Sequence, residues 1–475
     1  MLQIGRNILS LLVSRILAAV ILFLIYTRLI QYLGPYAAGQ YGLMAAYLTV
    51  FSFFIDLGMQ QLVIKKISED KTQASKYLTN YFGIQFCFGL AFMLIIYTIV
   101  SLAHYPILVR HALYITGFSL LLSSMTMPFM AVINAFQRLS IIARVNFANS
   151  VINASMMLAA IVFRRNIFFL AFIPGVVAGF DIIIYGFVVA KKFAKLTFDF
   201  DFSFWKKIFL WNLPFMWLTI FSIYNRIDSL LLPHLRNFTE AGYYSAAYKF
   251  WDTLAFLPAV VAAALYPYFA DRLMRGEKEQ VREVLETYTR YMIALGIPLS
   301  IGAYFSAQKI LLFFAASFVP AAPALWLLIA AVSVLFIYVP VNSLIISQKT
   351  KIATIITGCN LLFNLIANLI FIPKFGFVAA AVITLMSEII QLVGYTIVVK
   401  RQIIDFNYLS NFIKPVIAGI IMAAALMFLK NLNLWLFILI GAFVYSVCLI
   451  LLGFFNHHDW ELLKASINFR KKIEV

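Results

Sequence analysis

Apolar stretches of about twenty residues, joined by short polar turns, run the whole length of this 475-residue chain, and positive charge collects on every second turn. Each stretch matches the length a helix needs to cross a bilayer at about 1.5 Å per residue. With 64% hydrophobic and only 12% charged residues, the chain has more apolar side chain than a water-soluble core can enclose. The fold class that follows is an all-α integral membrane protein.

Windows of spanning length fall near residues 8–30, 41–64, 78–103, 111–134, 146–163, 167–190, 208–233, 243–270, 290–314, 322–346, 352–372, 376–399, 411–430 and 433–455, about 14 transmembrane helices. A net charge of +18 would suggest nucleic acid in a soluble protein, but here the cations sit at the ends of spans and report topology instead. Lys65, Lys66, Lys71 and Lys76, then Arg138 and Arg144, then Lys191, Lys192 and Lys195, then Arg272 to Arg290, and the tail from Lys464 to Lys472 share one side. The opposite turns carry isolated residues such as Arg110, Arg236, Lys309, Lys374 and Lys430, with Arg164–Arg165 the local exception. The basic side is therefore expected in the cytoplasm, with both termini there and the first helix uncleaved.

The longest polar stretch, 271–290, is too short for a soluble catalytic domain. No phosphate-binding loop, metal-ligand spacing or catalytic motif is present, so neither an enzyme nor a cofactor or metal site is expected. Cys87, Cys359 and Cys448 lie inside apolar stretches and read as packing residues, and His457–His458 as a solvated pair.

The chain also repeats. Ala38-Gly39-Gln40-Tyr41 recurs as Ala241-Gly242-Tyr243-Tyr244, and Gln137, Asn149 and Asn153 are matched at constant offset by Gln348, Asn360 and Asn364. Asp181 in the sixth span is echoed by Glu388 in the twelfth. Six helices repeat as six, and because the unit is even both copies cross in the same direction, giving two parallel lobes related by a pseudo-two-fold along the membrane normal. The expected divisions are an N-lobe over 1–200, a C-lobe over 201–402, and two extra helices with a basic tail over 403–475. Two parallel lobes suit alternating access.

Ionisable groups within spans are expensive and mark partners or water-filled cavities. Here they are Arg15, Arg28, Asp56, Asp181, Arg226, Asp228, Lys249, Asp252 and Glu388. Interhelical ion pairs that fix packing are one reading, with Arg15 and Asp56 placed at similar depth and Lys249 and Asp252 on one helix face. The other is a cationic trap for an anionic headgroup, since the cations fall in helices one, seven and eight; Arg28 also lies close enough to an interface to snorkel. Asn149 and Asn153, and Asn360, Asn364 and Asn368, recur at helical spacing and serve either helix–helix hydrogen bonds or sugar contacts.

Thr27-Arg28-Leu29, Tyr32-Leu33-Gly34, Gly39-Gln40-Tyr41 and Asp56-Leu57-Gly58, followed by Asp228, Glu240-Ala241-Gly242-Tyr243, Pro258, Pro267, Asn364, Ile372-Pro373, Gly376 and Ser387-Glu388, resemble polysaccharide flippases. These are the Wzx-type O-antigen transporters of the multidrug/oligosaccharidyl-lipid/polysaccharide exporter superfamily, and the resemblance covers essentially the whole chain. It implies flipping of undecaprenyl-diphosphate-linked oligosaccharide from the cytoplasmic to the outer leaflet of a bacterial inner membrane, with the glycan in a cationic cavity and the lipid tail in the bilayer. Other polysaccharide assembly proteins become expected partners. Ser14-Arg15 is similar to a pair in the related lipid II flippases, which makes Arg15 the leading substrate contact, with Arg28, Arg226 and Lys249 beside it. Asp56, Asp181, Asp228, Asp252 and Glu388 are left for ion coupling or ion pairing. The first two helices lack further arginines of the lipid II flippases, which favours a repeat-unit glycan over a peptidoglycan precursor. A drug or small-molecule antiporter of the same superfamily is the alternative, disfavoured by the excess of cations; a membrane-embedded enzyme would need larger outer loops.

Overall fold

A computed structural model describes residues 2–197, 199–220, 224–312, 315–407, 410–455 and 459; the side chains of residues 2–20 and of a few residues around 214–225 and 256–264 lie outside that description. Among the described residues there are no strands. Among the same residues, ten helices are long and apolar enough to cross a membrane. Ile183, Phe187 and Phe443 are each at least 66% exposed, so large apolar side chains face outward where a soluble protein would carry charge. The chain is a multi-pass, all-α membrane protein.

The elements are α1 (Leu2–Asp56), α2 (Met59–Glu69), α3 (Ala74–Leu102), α4 (Ile107–Ala135), α5 (Leu139–Val162), α6 (Ile167–Lys192) and α7 (Phe202–Ile220), then α8 (Tyr224–Leu235), α9 (Phe238–Leu254), α10 (Phe256–Met274), α11 (Lys278–Leu312), α12 (Ala322–Gln402), α13 (Ser410–Phe428) and α14 (Leu434–Leu451). Local chemistry sets several ends. The Asn166 side chain accepts from the Phe168 amide to open α6, and Asn433 does the same for Leu436 in α14. Lys191–Lys192 and Lys400–Arg401 close α6 and α12, where cations meet the negative end of the helix dipole.

Two long elements are not single passes. α1 leaves helical geometry at Gly34. α12 turns at Gly376, whose φ is +63°; beyond it the chain runs back, so that Thr357 bonds Tyr395 at 2.7 Å and Asn364 bonds Ser387 at 2.9 Å. Other expected windows divide. The window 41–64 breaks at Leu57 and Gly58, both at positive φ, because a left-handed pair interrupts the helix before α2 begins. Residues 243–270 form α9 and α10 in succession, and 208–233 spans α7 and α8 with 221–223 outside the described residues.

The chain packs as two compact units, Leu11–Ser245 with Leu365–Phe377, and Met1–Ser10, Ala246–Asn364 with Val378–Val475. In the first, Tyr81, Val132, Tyr185 and Ile208 centre a core between α3, α4, α6 and α7. In the second, Leu285, Tyr338, Ile345 and Tyr395 form one core. Met422, Phe437 and Tyr445 pack α13 and α14 beside Ile297 and Ile301 of α11 in another. Cys87 and Cys359 are exposed and Cys448 half-buried, which corrects the packing role expected of the first two.

Candidate functional site

In the first unit the break between α1 and α2 is a polar knot. Asp56 accepts from the amides of Gly58 (3.2 Å) and Gln60 (3.0 Å) and from the Tyr81 hydroxyl (2.8 Å). Asn212 donates to the freed Leu57 carbonyl at 2.9 Å, and Gln85 approaches that of Ile55 at 3.5 Å. The carboxylate thus caps α2 and the amides satisfy carbonyls released by the break, as a membrane interior requires. Sequence reasoning paired Asp56 with Arg15. The Asp56 partners found are Tyr81 and backbone, and the Arg15 side chain lies outside the described residues.

The duplicated asparagine–acid pattern gives an asparagine–acid contact in the first copy and an asparagine–serine contact in the second. In the first, Asn149 donates to both oxygens of Asp181, at 2.9 and 3.2 Å. The buried Asn149 Oδ1 and the hydroxyl of Tyr185, one turn from Asp181, have no hydrogen-bond partner among the described residues. Asn153 donates to the Asn149 carbonyl instead, a bond within its own helix. In the second copy Asn360, Asn364, Asn368, Ser387 and Glu388 are all at most 2% exposed. Asn364 donates to Ser387, while neither polar atom of the Asn360 amide has a hydrogen-bond partner among the described residues. Buried amides left unsatisfied cost about 1–3 kcal/mol each, so such positions ask for a ligand, an ion or water.

The remaining charged positions divide between the units. Arg28 is exposed on α1 and bonds Gln31 at 3.2 Å. Asp228 is buried, accepting from the Ser229 amide and hydroxyl and from Tyr244. Arg226 is half-buried on α8 in this unit, whereas Lys249, half-buried, and Asp252, exposed, lie on the part of α9 assigned to the other.

A further cluster was missed by sequence reasoning. Gly39 and Gly242, the glycines of the duplicated Ala-Gly motif, face each other: a Cβ on Gly39 would overlap the Phe238 carbonyl oxygen, and one on Gly242 the Pro35 carbonyl oxygen. Beside them Glu240 accepts from Arg236 Nε at 2.9 Å and from the Phe377 amide at 3.1 Å, while Arg236 also donates to the Pro373 carbonyl. Tyr105 joins Tyr47 to His234. The repeated motif was the signal, but nothing in one sequence told that its two copies touch.

A multi-pass helical bundle with buried polar contacts inside its spans defines a class, the membrane transporters. The chain belongs to the polysaccharide biosynthesis protein family, whose model matches residues 4–273. An uncharacterized membrane protein of Methanocaldococcus jannaschii is 28% identical over 275 residues, 55% of this chain and 54% of that protein; the chain thus spans about half the length of this curated relative. The fold is similar to that of the lipid II flippase MurJ in an inward closed conformation, with a TM-score of 0.78 and 17% identity over 93% of this chain and 98% of that one. A multidrug resistance MATE family transporter in an inward-facing conformation gives 0.57 and 13% identity, covering 79% of this chain and 93% of that one. A eukaryotic MATE transporter gives 0.57 and 15%, covering 86% and 97%.

Proposed function

We propose that this protein flips a lipid-linked oligosaccharide, an O-antigen or other polysaccharide repeat unit on undecaprenyl diphosphate, from the cytoplasmic to the outer leaflet by alternating access. The observation that carries this reading is the membership of a polysaccharide biosynthesis family by a chain of apolar spans that keep polar contacts between them. Arg15, Arg28, Arg226 and Lys249 serve the diphosphate, because a phosphate in a low-dielectric site needs cationic partners. The repeated lobes are 1–200 and 201–402, followed by the two extra helices of 403–475. The membrane is the bacterial cytoplasmic membrane, with both termini inside. Asp181 with Asn149, and Glu388 with Asn360, Asn364 and Asn368, are the coupling positions: each copy holds one carboxyl within a span, half-buried at Asp181 and buried at Glu388, where it can exchange a proton or a small cation. Asp56, Asp228 and Asp252 hold structure.

The test is surface glycan display in cells lacking the gene, complemented with wild type, Arg15→Ala or Lys249→Ala, while the leaflet distribution of lipid-linked repeat units is followed. Accumulation on the cytoplasmic leaflet, relieved by wild type and not by well-expressed variants, is expected. Unchanged glycan and leaflet distribution in the deletion would refute the cargo. The second reading, a cation-coupled small-molecule antiporter, is favoured by the Asn149–Asp181 pair and the likeness to MATE folds; drug accumulation assays in the same deletion distinguish it.

A further inference from the structure

The second unit contains a cleft that the cargo reading does not use. The last turn of α11, the end of α13 and the starts of α12 and α14 enclose a groove of about 690 Å³ at the ends of these helices that lie on the charge-poor side of the chain. Lys309 and Lys430 line it. Lys309 donates to the Leu432 carbonyl at 2.7 Å and its Nζ stands 4.2 Å from the centre of the Phe437 ring, so the ammonium is held at the groove rather than extended away from it. Lys430 is exposed beside it. Ala322 and Pro323, where the 3-10 turn Ala316–Ala321 runs into α12, also line the groove; the Ala322 amide is bonded to the Val319 carbonyl and Pro323 carries none, so the lysines supply the positive charge.

Beneath this cationic mouth the groove continues into a wholly apolar cavity of about 390 Å³. The two share Tyr304, Phe305 and Trp326, and the Tyr304 and Trp326 rings meet edge to face at 5.5 Å as a common wall. The lower part reaches Ser300 on α11, and from Ser300 to Lys309 is about 13 Å along a helix. Lysines at helix C-termini commonly complement the dipole or snorkel. That role does not account for the apolar cavity under them.

Two lysines over an apolar slot match one ligand chemistry, an anionic phosphate headgroup with a hydrocarbon chain attached. We infer that the cleft binds one anionic phospholipid from the leaflet at the charge-poor helix ends. Its phosphate lies between Lys309 and Lys430, and one acyl chain runs along the Tyr304–Trp326 wall. The site is independent of the cargo: it uses none of the residues assigned to transport.

Native mass spectrometry of the purified full-length protein, titrated with phosphatidylglycerol or phosphatidylcholine of equal chain length, tests it. One phosphatidylglycerol is expected to be retained at least tenfold more tightly than phosphatidylcholine. The Lys309→Gln/Lys430→Gln double variant loses that preference, and excess glycerol 3-phosphate fails to displace the lipid. Lys430→Gln alone, at an exposed position, keeps the fold and weakens retention several-fold. Equal retention of the two lipids, or an undiminished preference in a folded double variant and in Lys430→Gln, overturns the site. Displacement by glycerol 3-phosphate alone would assign the groove to free phosphate and overturn the lipid.

Discussion

Asp56 stabilises a helix break that hydrocarbon would otherwise punish, by taking two backbone amides and the Tyr81 hydroxyl at once. Asp56→Ala is expected to cost about 2–3 kcal/mol, since it removes a cap and strands a buried phenol. Tyr81→Phe should cost about 1 kcal/mol, and the double variant should fall short of the sum because the two groups share one bond. Denaturation in detergent measures all three. Asp56→Asn keeps an acceptor oxygen and should lose least; loss of transport in a stable Asp56→Asn protein would instead give the charge a role in function. Outside the spans, Asp70 is held below the usual carboxylate range by the Thr72 hydroxyl, then the Thr72 amide and Gln73. A depressed folded value means that its contribution is present above the unfolded value, about pH 4, and lost as pH falls through the folded one. Asp70→Asn should therefore flatten the acid limb of the melting profile below about pH 4.

At the scale of elements, the crossing of α1 and α9 depends on two missing side chains. Gly39→Ala or Gly242→Ala forces backbone against carbonyl oxygen and should cost about 1–3 kcal/mol, whereas Gly179→Ala, with open space around it, should be silent in the same melting assay. Gly376→Ala combines a positive φ with a Cβ directed onto the Glu240 carboxylate, so it should release the turn that Phe377 and Pro373 anchor. Protease accessibility at residues 373–377 would report this. Sequence periodicity made the helices legible because hydrocarbon demands long apolar runs wherever the chain crosses. The break at Leu57 was not legible: a left-handed leucine leaves no compositional trace, and its cause, a cap from Asp56 and an amide from Asn212, lies partly 155 residues away. The pairing of Asn149 with Asp181 was foreshadowed by repetition, the Glu240 clamp by nothing local.

For the whole molecule, the distribution of charge makes the strongest demand, because every turn must fall on the side that its cations prefer. Glu279, between Arg275 and Arg282, and Leu102 and Leu432, beside charge-poor turns, are consequently expected on opposite faces of the membrane. In a protein with Cys87, Cys359 and Cys448 replaced by serine or alanine, single cysteines at these positions can be treated with an impermeant maleimide in intact cells. Leu102→Cys and Leu432→Cys should label directly, and Glu279→Cys only after permeabilisation. The inverted pattern would place the basic turns outside and reverse the direction of flipping that the proposed function requires. Labelling of all three in intact cells would contradict an alternating topology in either orientation, and with it the parallel repeat on which the assignment of coupling positions in both copies depends.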